Sequence, residues 1–303
     1  MKRLFTLFFL CILILAGCSS NPAPAQIAAT TLPVYTFTAQ LCEGTDLRVT
    51  RLVTEEVSCL HDDSLNVTQV KAAEAAELIV MSGAGLEEFL DDLLLGANVI
   101  DASQGIDLIC PEEEHDHDHG SQEGEDDTHE HSHEGHHHDQ DPHIWLSPIH
   151  ASTMAENICF GLMEQYPQYS DIFCANLAAL NEELDKLYMY GAETLENLSC
   201  RELITFHDGF AYFAECFGLE ILEAVEEESG SEASAKELIH LIEEVEHHDL
   251  PAIFTERSGS VSAAGIISRE TGCACYTLDM AMAGDSYFEA MNHNIQTAKE
   301  ALS

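Results

Sequence analysis

Residues 202–217 read ELITFHDGFAYFAECF, a short run of strand-forming residues followed at once by a helical pattern. The run predicts a buried strand near 202–206 and a helix near 209–217. The same unit recurs in both directions along the chain. Further strands are predicted near 27–30, 48–53, 78–82 and 98–101, and near 220–225, 252–255 and 273–278, with helical patterns between them. Such alternation predicts α/β structure.

A region without strand signals separates these two series. Residues 148–165 form one predicted helix, and residues 167–199 carry apolar side chains at helical spacing with no proline after its start. About 30 helical residues would make a rod near 45 Å long, although a break near Gly191 would give two helices instead. We therefore predict two Rossmann-like α/β lobes, residues 27–166 and 200–303, joined by a long rigid helix.

The chain begins with an export signal. A basic start, an apolar run from Leu4 to Leu15 and the sequence Leu15-Ala16-Gly17-Cys18 are typical of a bacterial signal peptide with a lipobox. The run is too short to cross a bilayer of about 30 Å, so an uncleaved anchor helix is the weaker alternative. We predict a signal peptide over 1–17, lipidation of Cys18, and a tether over 18–26 that holds the protein outside the cytoplasm at the cell membrane.

The charge of the chain limits its partners. The formal net charge is −44, and removal of Lys2 and Arg3 with the signal peptide lowers it to about −46. Such a surface argues against nucleic acid or anionic lipid headgroups as partners. It suits a protein that collects cations. We also expect the protein to be a monomer.

Residues 112–141 form a low-complexity insertion in the first lobe. It combines thirteen acidic residues with nine histidines and cannot bury a core, so we predict a disordered loop. Imidazole binds zinc, copper and nickel well, and a flexible tract can offer many exchangeable ligand sets. The predicted accessory ligands are His115, His117, His119, His129, His131, His133, His136, His137 and His138.

Outside this tract, four side chains that can bind a metal lie where predicted elements end. They are His61, His143, His207 and Asp279. In open α/β sheets, ligands collect beyond the carboxyl ends of the strands, so a cleft between the lobes could gather all four. Three imidazoles and a carboxylate are a suitable tetrahedral set for Zn²⁺. Glu256 also ends a predicted strand and is the alternative fourth ligand.

The sequence resembles the zinc-specific solute-binding lipoproteins of ABC importers, the cluster A-I group of the ZnuA and AdcA type. The resemblance covers nearly all of the mature chain. It depends on the lipobox, His61 before a predicted helix, the histidine-rich tract, DPHIWLSP at 141–148, FHDGFAYF at 206–213, and Leu278-Asp279 followed by GDSYF at 284–288.

This resemblance implies that one long helix joins the lobes and that the metal lies between them. His61 and His143 would come from the first lobe, and His207 and Asp279 from the second. Manganese-binding relatives tend to have a carboxylate where this chain has His207, so the histidine favours zinc. A membrane permease of an ABC importer would be the partner, with Zn²⁺ as the transported ligand.

Three other functions are alternatives to zinc capture. A manganese-binding protein of the same fold would need more oxygen ligands. An adhesin that buffers metal would leave the ordered site incidental. An exported zinc hydrolase would need an open metal position, and the chain has neither His-Glu-x-x-His nor a nucleophile elbow. We therefore predict that the protein is not an enzyme.

Overall fold

The computed structural model describes residues 26–54, 66–110, 140–225, 234–257 and 261–303. Several predicted features lie outside these residues, namely the signal peptide, Cys18, most of the tether, His61 and the nine histidines of the tract. Within the described residues, no helix has both the length and the apolar character needed to cross a membrane.

The first lobe is built on four parallel strands. These are β1 (Ile27–Ala29), β2 (Val49–Arg51), β3 (Leu78–Met81) and β4 (Val99–Asp101), with helices α1 (Leu32–Leu41), α2 (Val67–Ala75) and α3 (Asp91–Leu94). The strand order is β2-β1-β3-β4. Every residue of β1 is buried, as expected for a strand with neighbours on both sides.

The helical pattern between the third and fourth predicted strands predicts a helix over 86–95, and this prediction is wrong in its first half. Gly83, Ala84 and Gly85 all have positive φ, and a single 3-10 turn at Glu88–Leu90 precedes the short α3. The buried Glu87 carboxylate accepts the backbone N–H groups of Ser82 and Gly83 and the hydroxyl of Thr30. These bonds stabilise a turn because the backbone N–H groups donate to the Glu87 side chain and do not form the hydrogen bonds of a helix.

Two antiparallel helices connect the lobes. They are α4 (Pro148–Gln165), which begins after the N-cap Ser147, and α5 (Ser170–Thr194), which follows a 3-10 turn at Pro167–Tyr169. The 25 residues of α5 span about 37 Å, somewhat less than predicted. The helix continues through Gly191, where the Phe217 ring packs against the backbone. It contacts α1 and α4 and also the last helix of the second lobe.

The second lobe repeats the plan of the first. Its strands are β5 (Glu202–Thr205), β6 (Glu220–Ala224), β7 (Ala252–Glu256) and β8 (Ala274–Leu278), and its helices are α6 (Ala211–Phe217), α7 (Ala235–His247), α8 (Ser262–Thr271) and α9 (Tyr287–Leu302). The parallel order is β6-β5-β7-β8. The sequence-based prediction of two α/β lobes joined by a long helix is therefore confirmed.

The two lobes share an apolar core. One cluster of buried side chains includes Phe37 and Trp145 from the first lobe and Met280 and Tyr287 from the second. The rings of Phe37 and Tyr287 meet edge to face, with centroids 5.1 Å apart. The lobes are therefore packed against each other through apolar side chains.

Candidate metal centre

The His143 ring is held by the residue two positions before it. Oδ1 of Asp141 accepts the backbone N–H of His143 at 2.8 Å and the ring Nδ1–H at 2.7 Å. Both side chains are buried, with exposed fractions of 3% and 10%. Because a carboxylate oxygen only accepts, Nδ1 is the ring nitrogen that donates to Asp141, and Nε2 is the one left to face a metal ion. The carboxylate fixes the ring and makes Nε2 a better metal ligand.

Asp141 is in turn held by the second lobe. The hydroxyl of Tyr212, on α6, donates to the backbone carbonyl of Asp141 and accepts the N–H of Ile109, each at 2.9 Å. Burial raises the pKa of Tyr212 to about 12, so the hydroxyl stays neutral and makes both bonds at physiological pH. The position of His143 therefore depends on both lobes.

His207 faces His143 from the second lobe. It follows β5, and its Nε2 lies 3.5 Å from Nε2 of His143, with ring planes inclined at 84°. Two nitrogens bound to one tetrahedral zinc ion at about 2.0–2.1 Å would lie about 3.3–3.4 Å apart. The two donor atoms therefore already have nearly the separation that a shared zinc ion requires.

Gly209 provides the space in which the two rings meet. A Cβ atom at this position would lie 2.8 Å from Cδ2 of His207, 2.9 Å from Nδ1 of His143 and 2.7 Å from Cε of Met280. These distances are shorter than ordinary contacts, so any side chain here would displace both imidazoles. The terminal methyl group of Met280, just after β8, therefore also lies beside Gly209.

Glu256 lies behind the His207 ring. It ends β7, the strand next to β5, and its Oε2 is 3.9 Å from Nδ1 of His207. It is 4% exposed. The carboxylate faces Nδ1 and not Nε2, so its place relative to His207 corresponds to that of Asp141 relative to His143. The sheet order explains this proximity, since β5 and β7 flank the point where the order reverses.

Asp279 follows β8 and is tightly fixed. Its backbone N–H and carbonyl both bond the Asn294 side chain at 2.7 Å, and its Oδ1 accepts the N–H of Ala281 at 2.8 Å. Its Oδ2 lies 3.1 Å from Nη2 of Arg257. Hydrogen bonds of its backbone groups and of Oδ1 thus fix the position of Asp279. Its other carboxylate oxygen is paired with the Arg257 guanidinium.

The centre is closed on one side by bonds between the lobes. The indole N–H of Trp145 donates to the carbonyl of Met280 at 2.8 Å, and the hydroxyl of Tyr287 donates to the carbonyl of Trp145 at 2.8 Å. Both rings are fully buried. Hydrogen bonds in such a water-free environment are costly to break without replacement, so they keep the lobes in register beside the histidine pair.

The structure brings together two of the four predicted ligands. His143 and His207 face each other, Asp279 is paired with Arg257, and His61 lies outside the described residues. In the part of the chain that the structure describes, no three His, Cys, Asp or Glu side chains form a group that could hold a metal ion. The four-ligand set thus stays a prediction.

Two residues of the centre were not assigned a role from the sequence, and a third, Glu256, has a position that differs from the role predicted for it. Asp141 orients His143, Gly209 admits both rings, and Glu256 stands behind His207, where the sequence suggested only an alternative ligand. The sequence Asp141-Pro142-His143 could have indicated the role of Asp141, because a side chain two residues away can reach the same turn. The other two depend on contacts between elements that are distant in sequence.

Comparison with known proteins agrees with this architecture. Residues 27–301 match the family model described as zinc-uptake complex component A, periplasmic (ZnuA). A protein of Treponema pallidum (strain Nichols), described as a candidate metal-binding protein, is 29% identical over 96% of this chain and 94% of its own length. Zinc-binding lipoprotein AdcA of Streptococcus pneumoniae (strain ATCC BAA-255 / R6) is 30% identical over 96% of this chain.

The AdcA relative is the longer protein, and the chain spans 59% of its length. A crystal structure of ZnuA superposes with a TM-score of 0.75 at 29% identity, covering 92% of this chain and 100% of that one. This is a family of solute-binding proteins and not of enzymes, as the sequence predicted. The chain, with its two parallel sheets, long connecting helix and facing histidines, belongs to the ZnuA family of metal-binding solute-binding proteins.

Proposed function

We propose that this protein captures Zn²⁺ between its two lobes outside the cytoplasm and delivers it to the permease of an ABC importer. The observation that carries the proposal is the 3.5 Å separation of the two Nε2 atoms, one from each lobe, in a partly buried setting. Family membership supports both the extracytoplasmic location and the transporter partner.

His143 and His207 are the two inner ligands in this proposal, and His61 and Asp279 complete the shell. Asp279 would exchange its contact with Arg257 for the metal, since a carboxylate oxygen serves either partner. Glu256 is the less suitable fourth ligand because it faces Nδ1 of His207. A shell of four protein ligands leaves no water to activate, which suits transport and not catalysis.

Nitrogen donors support zinc as the cargo. Manganese prefers carboxylate, carbonyl and water oxygens, whereas imidazole suits zinc. The two donors that face each other are both imidazoles, each with a carboxylate on the Nδ1 side of its ring. Asp141 and Glu256 therefore act behind the ligands, where they increase the basicity of nitrogen without adding oxygen to the shell.

The N-terminus and the histidine-rich tract complete the proposal. A lipid on Cys18 would hold the mature protein at the cell membrane beside its permease. The nine tract histidines would gather zinc near the cleft in loose, exchangeable sites. Deletion of residues 112–140 is expected to leave one tight site, and loss of all tight zinc binding in that variant would contradict this division of roles.

Metal analysis of the protein purified without added metal tests the proposal. The wild type should contain one tightly held zinc ion, and His207→Ala should weaken zinc binding by roughly 100-fold or more. His248→Ala is the matched control, because His248 pairs with Glu202 at 3.0 Å away from the cleft. Equal zinc affinity in both variants, or bound manganese in the wild type, would overturn the assignment.

A further inference from the structure

Three sulfur atoms meet where α4 and α5 pack together. Cys159 and Met163 lie one turn apart on α4, and Cys174 lies in the second turn of α5. Both thiols contact the same thioether, since Sγ of Cys159 and Sγ of Cys174 are each 3.9 Å from Sδ of Met163. The short turn at 167–169 fixes the two helices relative to each other at this point.

This sulfur cluster runs from the core to the surface. Cys159 is buried, Met163 is half-buried and Cys174 is exposed. Neither cysteine is in a disulfide. A ligand or ion can therefore reach the cluster from solvent through Cys174, while Cys159 offers a donor that is shielded from water.

The two separations from the Met163 sulfur fit a single ion. Three sulfurs around one metal at about 2.3 Å would lie about 3.8–4.0 Å apart, in either tetrahedral or trigonal geometry. The two distances of 3.9 Å fall within this range. Thiolates suit both Cu(I) and zinc but not Mn²⁺, and the thioether, which is not a usual zinc ligand, favours Cu(I) over the borderline-soft Zn²⁺.

We propose that Cys159, Met163 and Cys174 form a second metal site that binds a soft monovalent ion, Cu(I). Cys159 is eleven residues beyond the start of α4, about 16 Å along the helix axis. The site is therefore separate from the centre between the lobes, and its chemistry lets the protein hold copper without occupying the zinc position.

Binding releases two protons and changes no oxidation state. Each thiol loses a proton as its sulfur bonds Cu⁺, while the thioether of Met163 donates a lone pair unchanged. Burial raises the pKa of the Cys159 thiol to about 11, so the free thiol stays protonated at neutral pH. The positive charge of the ion offsets the cost of forming the buried thiolate, and Cu(I) affinity should rise with pH.

Competition with the Cu(I) chelator bicinchoninate tests the site in the full chain, reduced and free of oxygen. Because imidazoles of the histidine-rich tract would also bind copper, X-ray absorption must count the sulfur neighbours of the bound ion. The wild type should hold one Cu(I) with at least two sulfur neighbours. Cys174→Ser should lose this equivalent, and Met163→Leu should weaken it at least tenfold.

Matched controls separate the site from general effects. Cys275→Ser removes another exposed thiol and Met189→Leu removes another exposed thioether, and both should keep the sulfur-bound copper. Zinc affinity and thermal unfolding should be unchanged in all four variants. Equal Cu(I) retention in the cluster variants and controls would overturn the proposal. So would a Cys159–Cys174 disulfide in the exported protein, detected as loss of two hydrogens and resistance to alkylation.

Discussion

Replacing Gly209 with alanine should misplace both inner ligands at once. The added Cβ would lie 2.8 Å from a carbon of the His207 ring and 2.9 Å from Nδ1 of His143. To reach ordinary contact at about 3.4 Å, each ring must retreat by about 0.5–0.6 Å. Met280 can move its terminal methyl group, but the rings are held by their neighbours.

The displacement acts mainly on metal binding. Moving two donors by half an ångström changes their separation and direction, and we expect zinc affinity to fall about 10- to 100-fold, or about 1.4–2.7 kcal/mol. The φ of Gly209 is not in the left-handed region, so alanine brings no backbone strain. Overpacking alone should cost about 1–3 kcal/mol of stability, which the fold should tolerate.

Zinc competition with a chromophoric chelator measures the loss of affinity, and urea unfolding of the metal-free protein measures stability. Gly265→Ala is the matched control, since its Cβ would meet nothing closer than 4.0 Å within the interior of α8. That change should leave zinc affinity unaltered and stabilise the helix by about 0.5–1 kcal/mol. If Gly209→Ala binds zinc as tightly as this control, the histidine pair is not the zinc site.

Three further changes probe the surroundings. Asp141→Asn should weaken zinc binding about 10- to 100-fold by removing the charge behind an inner ligand. Glu202→Gln alters the carboxylate–histidine pair of Glu202 and His248 and should leave zinc binding unchanged. Chelator competition measures the zinc affinity of both variants. Burial raises the pKa of Glu87 from 4.5 to about 7, so the folded state binds more protons between these values. The free energy of unfolding should therefore fall as pH rises across that window, by up to about 3 kcal/mol, and urea titrations of Glu87→Gln should lack this slope. Trp145→Phe leaves a buried carbonyl without its donor and should cost about 1–3 kcal/mol in the same assay; an unchanged midpoint would show that the bond between the lobes contributes nothing.

The local pattern was sufficient to predict the elements and much of their order. Apolar runs and helical spacing gave eight strands within a few residues of their observed ends, because burial of a parallel strand requires a continuous apolar run. The same reasoning failed at 86–90, where three consecutive positive-φ residues at 83–85 and the buried Glu87 carboxylate form a turn. Apolar periodicity carries no information about such side-chain bonds to the backbone.

The sequence by itself also determined the chemistry of the inner donors. Histidines that directly follow predicted strands or turns identified His143 and His207 as candidates, since the carboxyl ends of parallel strands face the same side of a sheet. The choice of imidazole as a donor, on which the proposal of zinc rests, can be read from the sequence alone. The acidic character of the chain likewise follows from composition alone.

Only the tertiary structure decided how these donors are arranged. The 3.5 Å separation of the two rings and their close approach to Gly209 depend on packing between the two lobes, and the carboxylate behind His207 depends on the pairing of β5 with β7. The meeting of three sulfurs at the packed faces of α4 and α5 has the same origin. Such distances are set by how whole elements pack, and residue spacing along a chain does not specify packing between elements that are far apart in sequence.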